Sequence, residues 1–213
     1  MQNISVSSQL SLDSQLHEKP RITKLPEYLE NQIDLPILKL CDCLSPHFKK
    51  ANMTPNDLTT FSLFFGLLAA YCLYHKIRYL PGIFYFISYI FDCVDGLYAR
   101  KYNMVTKFGD YYDHIKDATV FLLIIFILYK QKRIQGIIFI IIISILSYSH
   151  LGCQEHYYKK YNPEKMHSDT LSICKVLCPF ENDIENALMI SRYFGTGTSF
   201  LIMSIYLFFI KYN

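Results

Sequence analysis

Residues 134–151 are an almost unbroken run of isoleucine and other apolar side chains. The run approaches the ~20 helical residues that cross a bilayer core. Inside hydrocarbon it must satisfy its own backbone hydrogen bonds, which a helix does within one segment. A membrane-crossing helix is the reading this stretch imposes. Three apolar runs precede it. The first follows T-P-N-D-L-T-T at 54–60 and extends to about residue 74. Asn56 reads as its N-cap, with Thr59 three residues on. The second occupies 79–91 and continues as helix to Ala99. The third begins near Gly109 and ends at Tyr129. Lys76 and Arg78 close one turn; Lys130, Lys132 and Arg133 close another. Residues 184–210 are apolar but broken by R-Y-F-G-T-G-T at 192–198. They divide into a short fifth helix before Gly195 and a sixth after it, or form one long bent helix.

Composition agrees with a membrane chain. Hydrophobic residues make up 52% of the 213 and charged residues only 18%, too apolar for an ordinary soluble domain of this length. The fold class expected is all-α and polytopic, with about six transmembrane helices and an N-terminal amphipathic interfacial helix. The latter is residues 33–50, where apolar residues fall at roughly helical spacing, two prolines interrupt, and Lys49 and Lys50 meet anionic head groups. A polar linker with chance periodicity is the alternative. Residues 1–32 read as a mobile polar arm and 33–213 as one membrane-embedded domain. The 18 Tyr and 16 Phe suit bilayer interfaces. A net charge of +3 gives no argument for nucleic acid. The seven scattered Cys suggest no disulfide framework, and the N-terminus has no signal-peptide pattern. Six spans put both termini on one side, with the 100–107 turn, the 156–175 loop and Lys211. Lys76, Arg78, the 130–133 cluster and Arg192 fall on the other. The basic excess makes the first side cytoplasmic, in the endoplasmic reticulum if the cell is eukaryotic.

Between the second and third runs lies D-C-V-D-G-L-Y-A-R-K-Y-N-M-V-T-K-F-G-D-Y-Y-D-H-I-K-D, residues 92–117. Asp92 and Asp95 are three apart, and Asp113 and Asp117 four apart, so each pair shares a helix face. The turn between them is short, so the helices are antiparallel neighbours and four carboxylates converge. Four such charges need a counter-charge. A hard divalent cation bound through oxygen supplies it, and two ions would suit phosphoryl chemistry. Gly96 lets a ligand approach the helix, and Ala99 and Gly109 keep the gap between helices open. Arg100 offers a planar fork for phosphate. One acid could take a proton from an attacking hydroxyl. His114 reads as an interfacial histidine or a specificity residue, and Lys116 as a solvated lysine or a phosphate ligand.

The spacing D-x2-D-G-x2-A-R-x8-G-x3-D-x3-D resembles the signature of the CDP-alcohol phosphotransferase family at every fixed position: Asp92, Asp95, Gly96, Ala99, Arg100, Gly109, Asp113 and Asp117. T-P-N-D-L-T resembles the P-N-x-x-T element that opens the family's first membrane helix. The resemblance covers about residues 50–130. It implies six membrane helices, commonly a homodimer, and transfer of a substituted phosphoryl group from a CDP-linked donor to an alcohol with release of CMP. It implies that Asp92, Asp95 and Asp113 bind Mg²⁺ or Mn²⁺, and that Asp117 is the base and also lies in the metal site. It implies a CDP site at Gly96, Ala99, Arg100 and Gly109, with Asn56 and Thr59 near the nucleotide.

The donor signals conflict. D-H-x-x-D at 113–117 resembles the choline and ethanolamine phosphotransferases, with Ile115 where they have glycine. T-K-F-G at 106–109 and the short chain resemble the users of CDP-diacylglycerol, which is the donor favoured here; the acceptor alcohol stays open. Other readings of the acids are a structural ion-pair network, a membrane prenyltransferase gripping a diphosphate through Mg²⁺, and a cation transporter. A loop metal site at His150, Cys153 and His156, with Cys174 and Cys178, fits no trusted zinc spacing.

Overall fold

The computed structural model describes residues 23–164, 168, 171–178 and 183–212. Among them every regular element is a helix. An interfacial helix α1 (Asp34–Lys50) is followed by α2 (Pro55–Tyr74), α3 (Leu80–Lys101), α4 (Lys107–Lys130), α5 (Ile134–Tyr161), α6 (Ile184–Ser191) and α7 (Thr196–Phe208). Short 3₁₀ turns at Leu171–Leu177 and Arg192–Phe194 complete the chain. The protein is thus all-α and polytopic. Helices α2, α3 and α5 are long and apolar enough to cross a membrane. On α5 Ile138, Ile142 and Ile145 are more than half exposed, as a lipid-facing stripe requires.

The antiparallel hairpin of α2 and α3 forms the most extensive contact. Its polar seam is self-satisfied: Ser62 donates to the Ser88 carbonyl at 2.9 Å and Ser88 to the Ser62 carbonyl at 2.8 Å. Thr54, not Asn56, caps α2. Its hydroxyl accepts from the Asp57 amide, and Asp57 reaches back to the Thr54 amide at 2.7 Å. With Pro55 in the first turn this is a complete capping box, and it leaves the Asn56 side chain free to face the site. Helix α1 is continuous. Pro36 lies in its first turn, where no amide hydrogen is missed, and Pro46 is carried without a break. Ile37, Leu38 and Cys41 bury against Tyr89, Val94, Leu97 and Tyr98 of α3.

The break at Gly195 falls where the sequence places it, but sidedness differs. At ~1.5 Å per residue the eight residues of α6 cannot cross a bilayer. Helix α6 lies beside the end of α5 that carries Cys153 and Tyr157, while α7 runs to the opposite end. There Arg133 donates to the Lys211 carbonyl, so Lys211 groups with Lys76 and the 130–133 cluster. Arg192 instead donates to the Tyr28 carbonyl, on the side of the N-terminal segment. Both assignments from the sequence are corrected. The reason is that a polar interruption marks a break without saying whether the chain turns back.

Helices α3 and α7 cross closely at Gly82, where a Cβ would collide with the Ser204 carbonyl and the Phe208 backbone. Gly82→Ala is expected to lower stability by about 1–3 kcal/mol through overpacking, read as a fall in the thermal midpoint in detergent.

Of the arm expected over 1–32, residues 1–22 lie outside the described residues. From Thr23 the chain is packed: Leu25 and Leu29 are fully buried against Cys153, Tyr157, Ala187 and Leu188. Asp34 accepts from the Tyr89 hydroxyl and from the Gly197 amide in the first turn of α7, where a carboxylate suits the helix dipole. The absence of any disulfide framework is also corrected. Cys153 of α5 bonds Cys178, with Cα atoms 4.9 Å apart, and pins the 3₁₀ turn to α5. Burial of Cys153 reads as hydrophobic from sequence, and the partner 25 positions on becomes visible only when the loop folds back. His150 and Cys153 therefore have other commitments than a loop metal site: His150 Nδ1 lies 3.0 Å from the Ser191 hydroxyl.

Candidate active site

A cavity of about 610 Å³ opens at the end of the bundle where α3 finishes and α2 and α4 begin. The turn between α3 and α4 is short because Thr106 caps α4, accepting from the Gly109 amide at 3.0 Å. The residues expected from the sequence to hold the metal, the nucleotide and the proton all line this one cavity: Asn56 and Thr59 from α2; Asp92, Asp95, Gly96, Ala99 and Arg100 from α3; Gly109, Asp113 and Asp117 from α4. The helix phase explains it. Residues at i, i+3, i+4 and i+7 from Asp92, and at i, i+4 and i+8 from Gly109, point to one side of each helix, and the antiparallel arrangement turns those sides toward each other.

Ligand oxygens of Asp92, Asp95 and Asp113 lie within 4.8 Å of one another. Asp95 is fixed by a 2.7 Å hydrogen bond from Thr59, which is itself buried. That bond ties α2 to the acids of α3 and holds one carboxylate oxygen in place. Asp113 Oδ1 is buried, and Lys116 Nζ lies 3.1 Å from it. Three converging carboxylates are the donor set a hard divalent cation takes. The residues present fit such an ion. Asp117 stands outside that trio and is the more exposed acid, at 39% for its side chain. Around Gly96, a Cβ would meet only the Arg100 guanidinium, at 3.2 Å, so the face is open to a ligand. A Cβ on Gly109 would come to 3.3 Å from Asn56 Oδ1, so glycine there lets α2 and α4 close in on the cavity.

Sequence reading missed four contributors. Lys116 is not a solvated lysine. Its side chain is 1% exposed, and its ammonium contacts Asp92, Asp117 at 2.8 Å and Asp113 at 3.1 Å. An ion-pair network and a trio able to hold a metal ion thus share the same acids. The inward phase of Lys116, one residue before Asp117, was a readable sign. The other three, Lys24, Glu30 and Glu155, bring the N-terminal segment and α5 to the cavity, with Lys24 Nζ 3.9 Å from Glu155 Oε2. No periodicity links them to the signature. His114 lines the cavity too, its Nδ1 2.7 Å from the Asp110 carbonyl.

Burial, then the nearby Asp34 carboxyl, push the Glu30 carboxyl from 4.5 up to about 7, with Arg100 acting the other way. A raised acid stabilises the fold fully below its unfolded value and loses that contribution as pH rises through 7. The shift is worth about 3 kcal/mol. Thermal midpoints should therefore fall between pH 5 and 8 by more in the wild type than in Glu30→Gln. Equal falls would remove Glu30 as the source.

The chain matches the CDP-alcohol phosphatidyltransferase family over residues 52–210. It is 35% identical over 72 residues to an archaetidylinositol phosphate synthase of Pyrococcus horikoshii, covering 32% of this chain and 38% of that one. It is 33% identical over 78 residues to a CDP-diacylglycerol–glycerol-3-phosphate 3-phosphatidyltransferase of Rickettsia felis, covering 37% and 43%. An uncharacterised protein of Aquifex aeolicus is 33% identical over 79 residues, covering 37% and 40%. The matched segments therefore span about two-fifths of these relatives. No solved structure matches the chain. A family match over three-quarters of the chain, and a signature whose every fixed residue turns into one cavity, make this an enzyme that belongs to the CDP-alcohol phosphatidyltransferase family.

Proposed function

We propose that this membrane enzyme of phospholipid synthesis transfers the phosphatidyl group of CDP-diacylglycerol to an alcohol hydroxyl and releases CMP. The observation that carries the reading is the convergence of Asp92, Asp95, Asp113 and Asp117 with Arg100 in one cavity at a helix-end interface. A lipid-linked donor suits that place, because its acyl chains stay in the bilayer while the nucleotide enters the polar cavity. The donor choice is supported by the activity for which the Rickettsia felis relative is named, and T-K-F-G points the same way.

In this reading Asp92, Asp95 and Asp113 hold a divalent cation, Mg²⁺ or Mn²⁺, which would neutralise charge on the donor pyrophosphate and ease departure of CMP. Arg100 adds a guanidinium fork to a phosphate. Gly96 admits the nucleotide against α3, and Asn56 and Thr59 border it. Asp117 accepts the proton of the acceptor hydroxyl as its oxygen attacks the phosphorus bearing the diacylglycerol oxygen. That P–O bond forms as the bond to the CMP oxygen breaks, and no covalent enzyme intermediate is required. The cavity end faces the cytoplasm in this proposal, in the endoplasmic reticulum if the cell is eukaryotic. Full burial of Cys153 shields the Cys153–Cys178 bond from the thiols of that reducing compartment. A homodimer is proposed from the family resemblance, and light scattering in detergent tests it.

The assay is purified enzyme with labelled CDP-diacylglycerol, CDP-choline or CDP-ethanolamine, a panel of free and phosphorylated alcohols, and identification of the lipid product. CMP release with CDP-diacylglycerol is the expected result. Turnover with CDP-choline alone would overturn the donor, and no CMP from any donor would overturn the reaction class.

A further inference from the structure

Lys116, buried behind the acids that line the cavity, is the charged group that the proposed chemistry leaves unused. Its ammonium is enclosed by four oxygens: Asp92, Asp117 at 2.8 Å, Asp113 at 3.1 Å and the Ser62 hydroxyl at 3.2 Å. The three carboxylates come from two helices and the hydroxyl from a third. We propose that this ammonium permanently takes the place of a second metal ion, so that the site binds one divalent cation rather than two. The inference rests on the metal-binding reading of the acids given above.

Helix phase fixes the lysine. Position 116 shares the inward face of α4 with Val120, Ile124 and Ile127, all buried. Val120 in turn lies against Gly66 of α2. A side chain rooted there has apolar core on one side and the acids on the other. It cannot reach an interface as a lysine at a helix end does. Withdrawing the ammonium from the acids would leave a desolvated, unpaired charge among apolar groups. The pairing is therefore the stable state of this side chain.

The same oxygens decide the metal count. A second divalent ion between Asp92, Asp113 and Asp117 would need the oxygens the ammonium already holds. Two cations about 3 Å apart repel strongly in a partly desolvated pocket. The trio of Asp92, Asp95 and Asp113 remains able to hold an ion. Asp95, held by Thr59, makes no ion pair with the lysine, while Asp92 and Asp113 would be shared between the ion and the ammonium. One ion on the Asp95 side and one ammonium on the Asp117 side is the arrangement these contacts allow. In this arrangement Lys116 also presents a fixed positive charge beside Asp117, where a second ion would otherwise meet the acceptor.

The test is a count of bound Mn²⁺. Full-length protein in detergent is stripped with chelator and titrated with Mn²⁺, and bound ions per chain are read by elemental analysis and electron paramagnetic resonance. One ion per chain, with an uncoupled spectrum, is expected for the wild type. Lys116→Met is expected to bind two, with the spectrum of an exchange-coupled pair, and Lys116→Arg to stay at one. Two ions in the wild type would overturn the proposal while leaving the metal-binding reading intact. One ion in both wild type and a folded Lys116→Met would also overturn it, because the lysine would not be what excludes the second. No bound ion at all would instead sink the reading on which the proposal rests. Should Lys116→Met fail to fold, the wild-type spectrum and the Lys116→Arg count decide the matter.

Discussion

Asp117→Asn is expected to slow CMP release by about 10²–10⁴-fold, the usual worth of a positioned general base, while the protein folds and binds Mn²⁺ as before. The expectation follows from where the acid sits. Asp117 lines the cavity but lies outside the trio whose oxygens come within 4.8 Å of one another. It is also the most exposed of the four acids, and so the one an acceptor hydroxyl can meet. Asparagine keeps the shape and loses the proton acceptor. Steady-state CMP release, beside thermal midpoints and Mn²⁺ counts for both proteins, separates a lost base from a lost metal. A variant within about tenfold of the wild type would reject Asp117 as the base, because that is less than the ordinary range. His114 would then be the next group to test, since it borders the same cavity.

Removing the metal is expected to stop transfer altogether. Charge stabilisation by a bound cation is worth several kcal/mol, and each 1.36 kcal/mol is tenfold in rate, so a chelator should reduce turnover by at least about a thousandfold. Mg²⁺ or Mn²⁺ should restore it. Asp95→Asn should mimic chelation, because Asp95 is the acid held rigidly by Thr59, and added metal should fail to rescue it fully. Undiminished turnover in excess chelator would dispose of the cation and with it the assigned duty of Asp92, Asp95 and Asp113.

Much of this was legible in one dimension, for a physical reason. Hydropathy and the 3.6-residue repeat are local, so the apolar runs located α2, α3, α4 and α5, and the break before Gly195 separated α6 from α7. The offsets within 92–117 are local too. Once the two helices are known to be antiparallel, the face carrying Asp92 and Asp95 must meet the face carrying Asp113 and Asp117. Other features depended on partners far along the chain. Asn56 looked like a cap until Thr54 and Asp57 closed the box around each other. Cys153 looked like a lone hydrophobe until the loop returned Cys178 to it.

The sequence by itself determined that the chain is helical and membrane-embedded, and which acids gather, because burial in hydrocarbon and helical spacing leave no freedom in either. Only the tertiary structure decided what neutralises those acids when Lys116 turns inward, and that the segment from Thr23 brings Lys24 and Glu30 to the same cavity. It also decided that Lys211 ends opposite Arg100. Each of these depends on which face a neighbouring element presents, and no local pattern encodes that.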